Sequence, residues 1–268
     1  MCKVISVVNQ KGGVAKSTSS LNLGIGLARK GYKVMCIDND PQGSLTASLG
    51  FNEPDSMDYT LASVMGKIIK DEKIELDEGI LHHQEGIDLM PGNIELSGME
   101  MTLINVMSRE FVLKEYIEKI RDKYDYIIAD CGPSLGMVTI NALAAADSVL
   151  IPVQIGYLPA KGLEQLIKTI KKIRERKINP NLKIEGILLT MVDGRTNYSK
   201  EIMSLIEQAY GRNVKIFEKP IPLSVRVAEC SALGISIYKN DPKGKAARAY
   251  ESLTEEVLKN AMNGGDRW

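Results

Sequence analysis

A lysine, two glycines and a hydroxyl residue stand together near the N-terminus, in Asn9-Gln10-Lys11-Gly12-Gly13-Val14-Ala15-Lys16-Ser17-Thr18. A polyphosphate chain is held by convergent backbone N–H groups at a helix N-terminus, a lysine on the terminal phosphates, and a hydroxyl that ligates magnesium. Here Gly12 and Gly13 let the backbone curl, Lys16 reaches the β- and γ-phosphates, and Ser17 is the Mg²⁺ ligand. The regular pattern G-x-x-x-x-G-K-[ST] fails at both of its glycines, where Gln10 and Ala15 stand. If position 15 needs a left-handed backbone, alanine costs about 1 kcal/mol or more. If it is right-handed, alanine favours the following helix.

Three acids complete the chemistry. Asp38-Asn39-Asp40-Pro41-Gln42-Gly43 and Asp130-Cys131-Gly132-Pro133-Ser134 each follow an apolar, β-branched run. A single aspartate after a strand more often caps a turn or helix. Three at successive strand ends, beside a lysine-bearing glycine loop, favour a site.

The elements that must position these residues are read from periodicity. Strands are expected over 3–8, 33–38, 126–130, 148–153, 184–190 and 214–217, with 87–90 a further candidate. A helix follows the glycine loop and ends at Gly31, and others are expected over 94–106, 109–123, 135–146, 159–176, 198–210 and 242–262. Apolar strands alternating with amphipathic helices predict a doubly wound, mostly parallel α/β sheet with helices on both faces. In such a sheet ligands bind outside the carboxyl ends of the strands. Asp38, Asp40, Asp130 and Lys16 all fall there. With no repeat or linker, residues 1–268 read as one domain, and the acidic, weakly periodic stretch 51–80 as a peripheral insertion.

The 268 residues carry 34 basic and 34 acidic side chains, and net neutrality argues against a nucleic-acid partner only if charge is evenly spread. It is not. Residues 51–100 hold 12 acids against 3 bases, and residues 151–250 hold 18 bases against 9 acids. The run 168–177 is a basic helix face over a stripe of Leu166, Ile167, Ile170 and Ile173, and as such is more often merely solvated. No apolar run approaches a membrane span and no leader is read, so a cytoplasmic protein without a membrane partner is expected. Cys2, Cys36, Cys131 and Cys230 lack metal-type spacing and read as reduced thiols. His82-His83 reads as a polar strand edge, and Met99, Met101 and Met107 as core filler.

Lys11-Gly12-Gly13-x-x-Lys16-Ser17 resembles the deviant Walker A loop of the ParA/Soj partition ATPases, in the MinD-like P-loop group. Asp38-x-Asp40-Pro41-Gln42-Gly43 resembles that family's second motif, and residues 126–131 its Walker B strand. Further matches at 151–154, 190–197, 224–226 and 241–245 spread the resemblance over nearly the whole chain.

The resemblance implies a Mg²⁺-dependent ATPase that dimerises on ATP, binds DNA without sequence preference, associates with the nucleoid and works with a ParB-like centromere-binding partner. Residues 11–18 (Lys11, Gly12, Gly13, Val14, Ala15, Lys16, Ser17 and Thr18) then cradle ATP. It further implies that Lys11 crosses to the partner's ATP, Asp40 positions the attacking water, Asp130 holds Mg²⁺ through water and Asp38 supports the metal. Arg195 and Arg226 match DNA-contacting positions. Gly132 stands where proline is common, which loosens the loop after Asp130. A MinD-like membrane-positioning ATPase, a nucleotide-dependent DNA-binding module without hydrolysis, and an unrelated P-loop kinase or synthetase stay open as alternatives.

Overall fold

Seven strands form the sheet that the computed structural model contains among its described residues, 2–155 and 159–262. They are β1 (Lys3–Val7), β2 (Val34–Asn39), β3 (Leu81–His82), β4 (Ile87–Met90), β5 (Tyr126–Cys131), β6 (Ser148–Gln154) and β7 (Lys183–Thr190). Their order is β3-β4-β2-β5-β1-β6-β7, parallel throughout except for the antiparallel β3–β4 edge.

Alternation along the central strands decides the layering. Val4, Met35, Ile37, Ile127 and Ala129 pack into one core, while Ile5, Val7, Val34, Cys36 and Ile128 pack into another on the opposite face. A strand buried on both faces needs helices on both. They are α1 (Lys16–Arg29), α2 (Ser44–Ser48), α3 (Leu61–Ile69), α4 (Glu95–Leu103), α5 (Val112–Ile120), α6 (Met137–Ala145), α7 (Pro159–Glu175), α8 (Asn197–Tyr210), α9 (Val225–Leu233), α10 (Ile237–Asn240) and α11 (Lys245–Met262). Helices α3 to α8 supply the first core, and α1, α2 and α9 to α11 the second. The doubly wound α/β sheet expected from the sequence is the fold.

Several local expectations are corrected. Residues 214–217 form no strand: Ile216 makes one isolated bridge to Ile187, and the segment continues to Pro222, which bridges Val192. Prolines at 220 and 222 remove the N–H groups that a continuous ladder needs. Within 51–80, expected to be peripheral, α3 buries Leu61, Ala62, Val64, Met65 and Ile68. Full burial of such side chains contributes about 1.5–3 kcal/mol each for the larger ones. Thr60 and Ser63 close a capping box at its start. Acids flanking α3 on both sides masked a nine-residue apolar helix. Of the three methionines expected in the core, only Met99 is buried; Met101 and Met107 are exposed. His83 is no strand edge: it is buried between the Gly234 carbonyl and the Glu85 N–H. The basic face of α7 behaves as read, with Leu163, Leu166, Ile170 and Ile173 inward and Lys168, Lys171 and Lys172 exposed.

Candidate functional site

Strand β1 delivers the glycine loop to the carboxyl edge of the sheet, and α1 leaves it at Lys16. Asn9, buried just before the loop, donates to the Pro152 carbonyl at 2.6 Å and accepts from the Lys11 N–H at 3.0 Å. The curl then uses left-handed backbone at Gly13 (φ 69°) and at Ala15 (φ 63°), while Gly12 stays outside that region. Glycine takes such a conformation freely and alanine does not. Position 15 therefore falls on the strained alternative. The loop closes on itself, with the Lys16 ammonium donating to the Lys11 carbonyl at 3.2 Å. Ala15 is the N-cap of α1 and supplies no side-chain cap, so the first-turn N–H groups lack a side-chain cap bond. Such a terminus favours an anion. Lys11 lies exposed at the rim, where its ammonium meets Gln154 Oε1 at 3.3 Å.

Parallel pairing sets the acids beside this loop. The β2–β5 register places Asp38 opposite Asp130. Asp38 Oδ2 accepts from the Thr46 N–H and hydroxyl at 2.8 and 2.7 Å, and its Oδ1 accepts from the Asp40 N–H at 3.3 Å. Burial, and then the neighbouring Asp130 charge, push Asp38 well above the usual carboxylate range. Asp130 Oδ1 accepts from the Ser20 hydroxyl at 2.7 Å. Burial pushes Asp130 up to about 6, with Ser17, Ser20 and the Lys16 charge pulling it down. Asp40, also buried, accepts from the Gln42 N–H at 3.0 Å. Gly132 makes room for it: a Cβ there would lie 3.0 Å from Asp40 Oδ1. The glycine at 132 thus admits the Asp40 carboxylate.

One oxygen in this cluster is orphaned: Asp130 Oδ2 is buried without a hydrogen-bond partner. A buried charged oxygen left unpaired is costly unless a ligand or ordered water takes it. The Ser17 hydroxyl and Asp130 Oδ2 are oxygen donors of the kind that hold Mg²⁺, directly or through water, and the Lys16 ammonium beside them is a cation suited to the phosphate chain. Among the described residues, no three His, Cys, Asp or Glu side chains are grouped to cage a metal alone. The residues fit a cation that arrives with its nucleotide.

The basic loops occupy the same edge. Beyond β7, the Val192 N–H donates to Ile221 O at 3.0 Å and the Leu223 N–H donates to Val192 O at 3.1 Å. These bonds bring the loop of Arg195 beside the segment that leads into α9 and Arg226. Arg195 is almost fully exposed and grips Asp193 through Nε and Nη2, both at 2.9 Å. That grip holds the Asp193 carboxyl down to about 2. Arg226, exposed in the first turn of α9, donates to Glu229 at 3.0 Å. Residues 11–18 and the three acids thus converge, and each arginine stands a few residues beyond the Val192 pairing to the 221–223 segment. Asn9, Ser20 and Thr46 were not singled out from sequence. The only signal was their position, next to or one turn beyond the loop and acid motifs.

A family described as an AAA domain matches residues 2–184. The sporulation initiation inhibitor protein Soj of Bacillus subtilis is 41% identical over 260 residues, covering 97% of this chain and all of that protein. The chromosome partitioning protein ParA of Myxococcus xanthus is 38% identical over 259 residues, 96% of this chain and 88% of that one. A solved cobyrinic acid a,c-diamide synthase from Mycobacterium smegmatis, with bound ATP analog and magnesium, superposes with a TM-score of 0.85 at 33% identity, covering 98% of this chain and 97% of that one. With the phosphate loop, the three acids and near full-length similarity in place, the chain belongs to the ParA/Soj family of P-loop partition ATPases.

Proposed function

We propose that this protein is a Mg²⁺–ATP-driven dimerisation switch that binds DNA without sequence preference and partitions genetic cargo together with a ParB-like partner. What supports the reading is that Lys16 and the three buried acids gather at the carboxyl edge of the sheet, and that the end of β7 is bonded both to the Val14 carbonyl and, through Val192, to the segment leading to the exposed Arg226. In this reading Lys16 and the first-turn N–H groups of α1 hold the phosphates, and Ser17 and Asp130 hold Mg²⁺, which supplies charge neutralisation on the phosphate oxygens. Asp40 orients water for in-line attack on the γ-phosphorus. The new P–O bond forms as the bond to ADP breaks, and the water's proton leaves with phosphate or solvent. Asp38, whose oxygens are taken up by Thr46 and Asp40, supports that geometry. Lys11 leaves Gln154 and reaches the nucleotide of a second copy, so that ATP and dimer require one another.

DNA contact is carried by Arg195 and Arg226, helped by the N-terminus of α9. There Ser224 makes no side-chain cap bond and the first turn holds no acid. Phosphate-backbone binding of this kind is salt-sensitive and blind to sequence. The protein then works in the cytoplasm on the nucleoid, with hydrolysis slow alone and stimulated by its partner. Light scattering with Asp40→Ala in ATP and in ADP, followed by DNA retention at two salt concentrations, tests the reading. The expected result is a dimer that retains DNA only in ATP. The same mass in both nucleotides sinks the switch, and no phosphate release by the natural chain, even with DNA and partner, leaves a binding module.

A further inference from the structure

One buried hydrogen bond crosses from the phosphate loop to the base of the arginine loops. The Thr190 hydroxyl, inaccessible to solvent at the end of β7, donates to the Val14 carbonyl at 3.1 Å, joining positions 176 residues apart. We propose that Thr190 is a positioning residue that couples the conformation of the phosphate loop to the two loops carrying Arg195 and Arg226. This deepens the reading above and rests on it for its DNA arm alone.

The backbone on either side of the bond supports the assignment. Val14 precedes Ala15 (φ 63°), and Thr190 precedes Met191 (φ 54°). Two of the five non-glycine residues with left-handed backbone among those described thus flank this single contact. Such conformations persist only where the surroundings over-determine them, and they gather at switch regions. Beyond Met191 the next residue, Val192, is bonded through both its N–H and its carbonyl to the 221–223 segment. Thr196 of the same loop caps α8 by accepting from the Ser199 N–H at 3.2 Å. On the loop side, Gln154 pairs in register with Thr190 and also receives Lys11. Phosphates that recruit the N–H groups after Val14 turn the Val14–Ala15 peptide. Thr190 carries that rotation to Met191 and hence to both arginine loops. Without the hydroxyl, a buried carbonyl is left unpaired and the two ends move independently.

Hydrogen–deuterium exchange of the full chain, read over residues 191–197 and 221–227 with and without Mg²⁺–ATP at saturation for each variant, tests the coupling. In the natural chain ATP shifts exchange of both segments about tenfold, the scale of one buried hydrogen bond's coupling. Thr190→Val, which keeps the shape and loses the hydroxyl, abolishes that response while residues 11–18 remain protected, and Thr190→Ser restores it. The ratio of affinities for a mixed-sequence duplex in ATP and in ADP falls about tenfold in Thr190→Val and stays in Thr190→Ser. An unchanged exchange response in Thr190→Val overturns the coupling. So does ATP-dependent DNA binding by the natural chain without any exchange change at the two segments. An exchange response without DNA binding overturns the DNA reading and leaves the coupling standing. Should Thr190→Val not fold, Met191→Gly keeps the hydroxyl and relaxes the strained residue. A partial loss of response is then expected, and a full response counts against the proposal.

Discussion

Two charged clusters share the carboxyl edge of the sheet and are built on opposite terms. Asp38, Asp40 and Asp130 are at most 6% exposed and stand on strand ends or immediately after one. Their surroundings hold them still and resist their charge, which burial shows by raising Asp38 and Asp130. Arg195 sits in solvent on a loop and Arg226 on the first turn of α9, each resting on one nearby carboxylate. Ion pairs in water give up their partner cheaply. In the function proposed above, the difference separates two tasks. A pocket that must place a metal and a water accepts the cost of burial for fixed geometry. A surface that meets a polymer of any sequence gains nothing from fixed geometry and needs only charge that is free to move.

Four variants sharpen or break this contrast. The largest effect belongs to the pocket. Lys16→Ala removes the cation that the loop wraps and lowers ATP turnover on the order of 10³-fold, as read by phosphate release. Turnover within a few-fold of the natural chain breaks the assignment. On the exposed side, Arg195→Glu combined with Arg226→Glu lowers DNA affinity roughly 10–100-fold and flattens its salt dependence by about two contacts, measured by anisotropy across a salt series. Loss of the ATP-driven dimer in the same double variant shows instead that the two clusters are not separable.

The third effect is one of stability and has a definite sign. Asp130 has a folded-state pKa of about 6, above the unfolded value of about 3.9. Its contribution is therefore fully present below about pH 4 and is lost as pH rises through about 6, because the unfolded chain gives up the proton first. Asp130→Asn removes this loss and stabilises the nucleotide-free protein by roughly 1–2 kcal/mol at neutral pH while abolishing Mg²⁺-dependent binding. Denaturant titrations at pH 5 and pH 8 check it, and a variant less stable than the natural chain at pH 8 refutes it. The smallest effect is backbone strain. Ala15→Gly relieves a left-handed alanine but frees the unfolded chain, a net gain of about 0.5 kcal/mol. A lower Tm places the strain elsewhere.

Much of this was legible beforehand because it is local. The central strands are unbroken apolar runs, and the glycine loop and the two Asp motifs follow them directly. Elements held by context were harder to read. Helix α3 hides among acids, β3 is two residues long, and the 214–223 segment has strand-like residues but prolines where a ladder needs donors. The site divides in the same way. Lys16, Ser17, Asp38, Asp40 and Asp130 carry their chemistry in their types and spacing. Ser20 matters through Asp130, 110 positions away, and Thr190 through Val14.

What the amino-acid order alone determined is the chemistry on offer: a phosphate-binding loop, three acids at strand ends, a basic second half and alternating layers to arrange them. These follow from covalent neighbours, which set backbone freedom, hydrophobic period and charge. The tertiary structure decided that position 15 is left-handed, that one oxygen of Asp130 lacks a partner, and that a threonine far along the chain reaches the loop. Each of those depends on burial and on atoms brought close by folding, because dielectric, strain and hydrogen-bond partners are properties of neighbourhood in space.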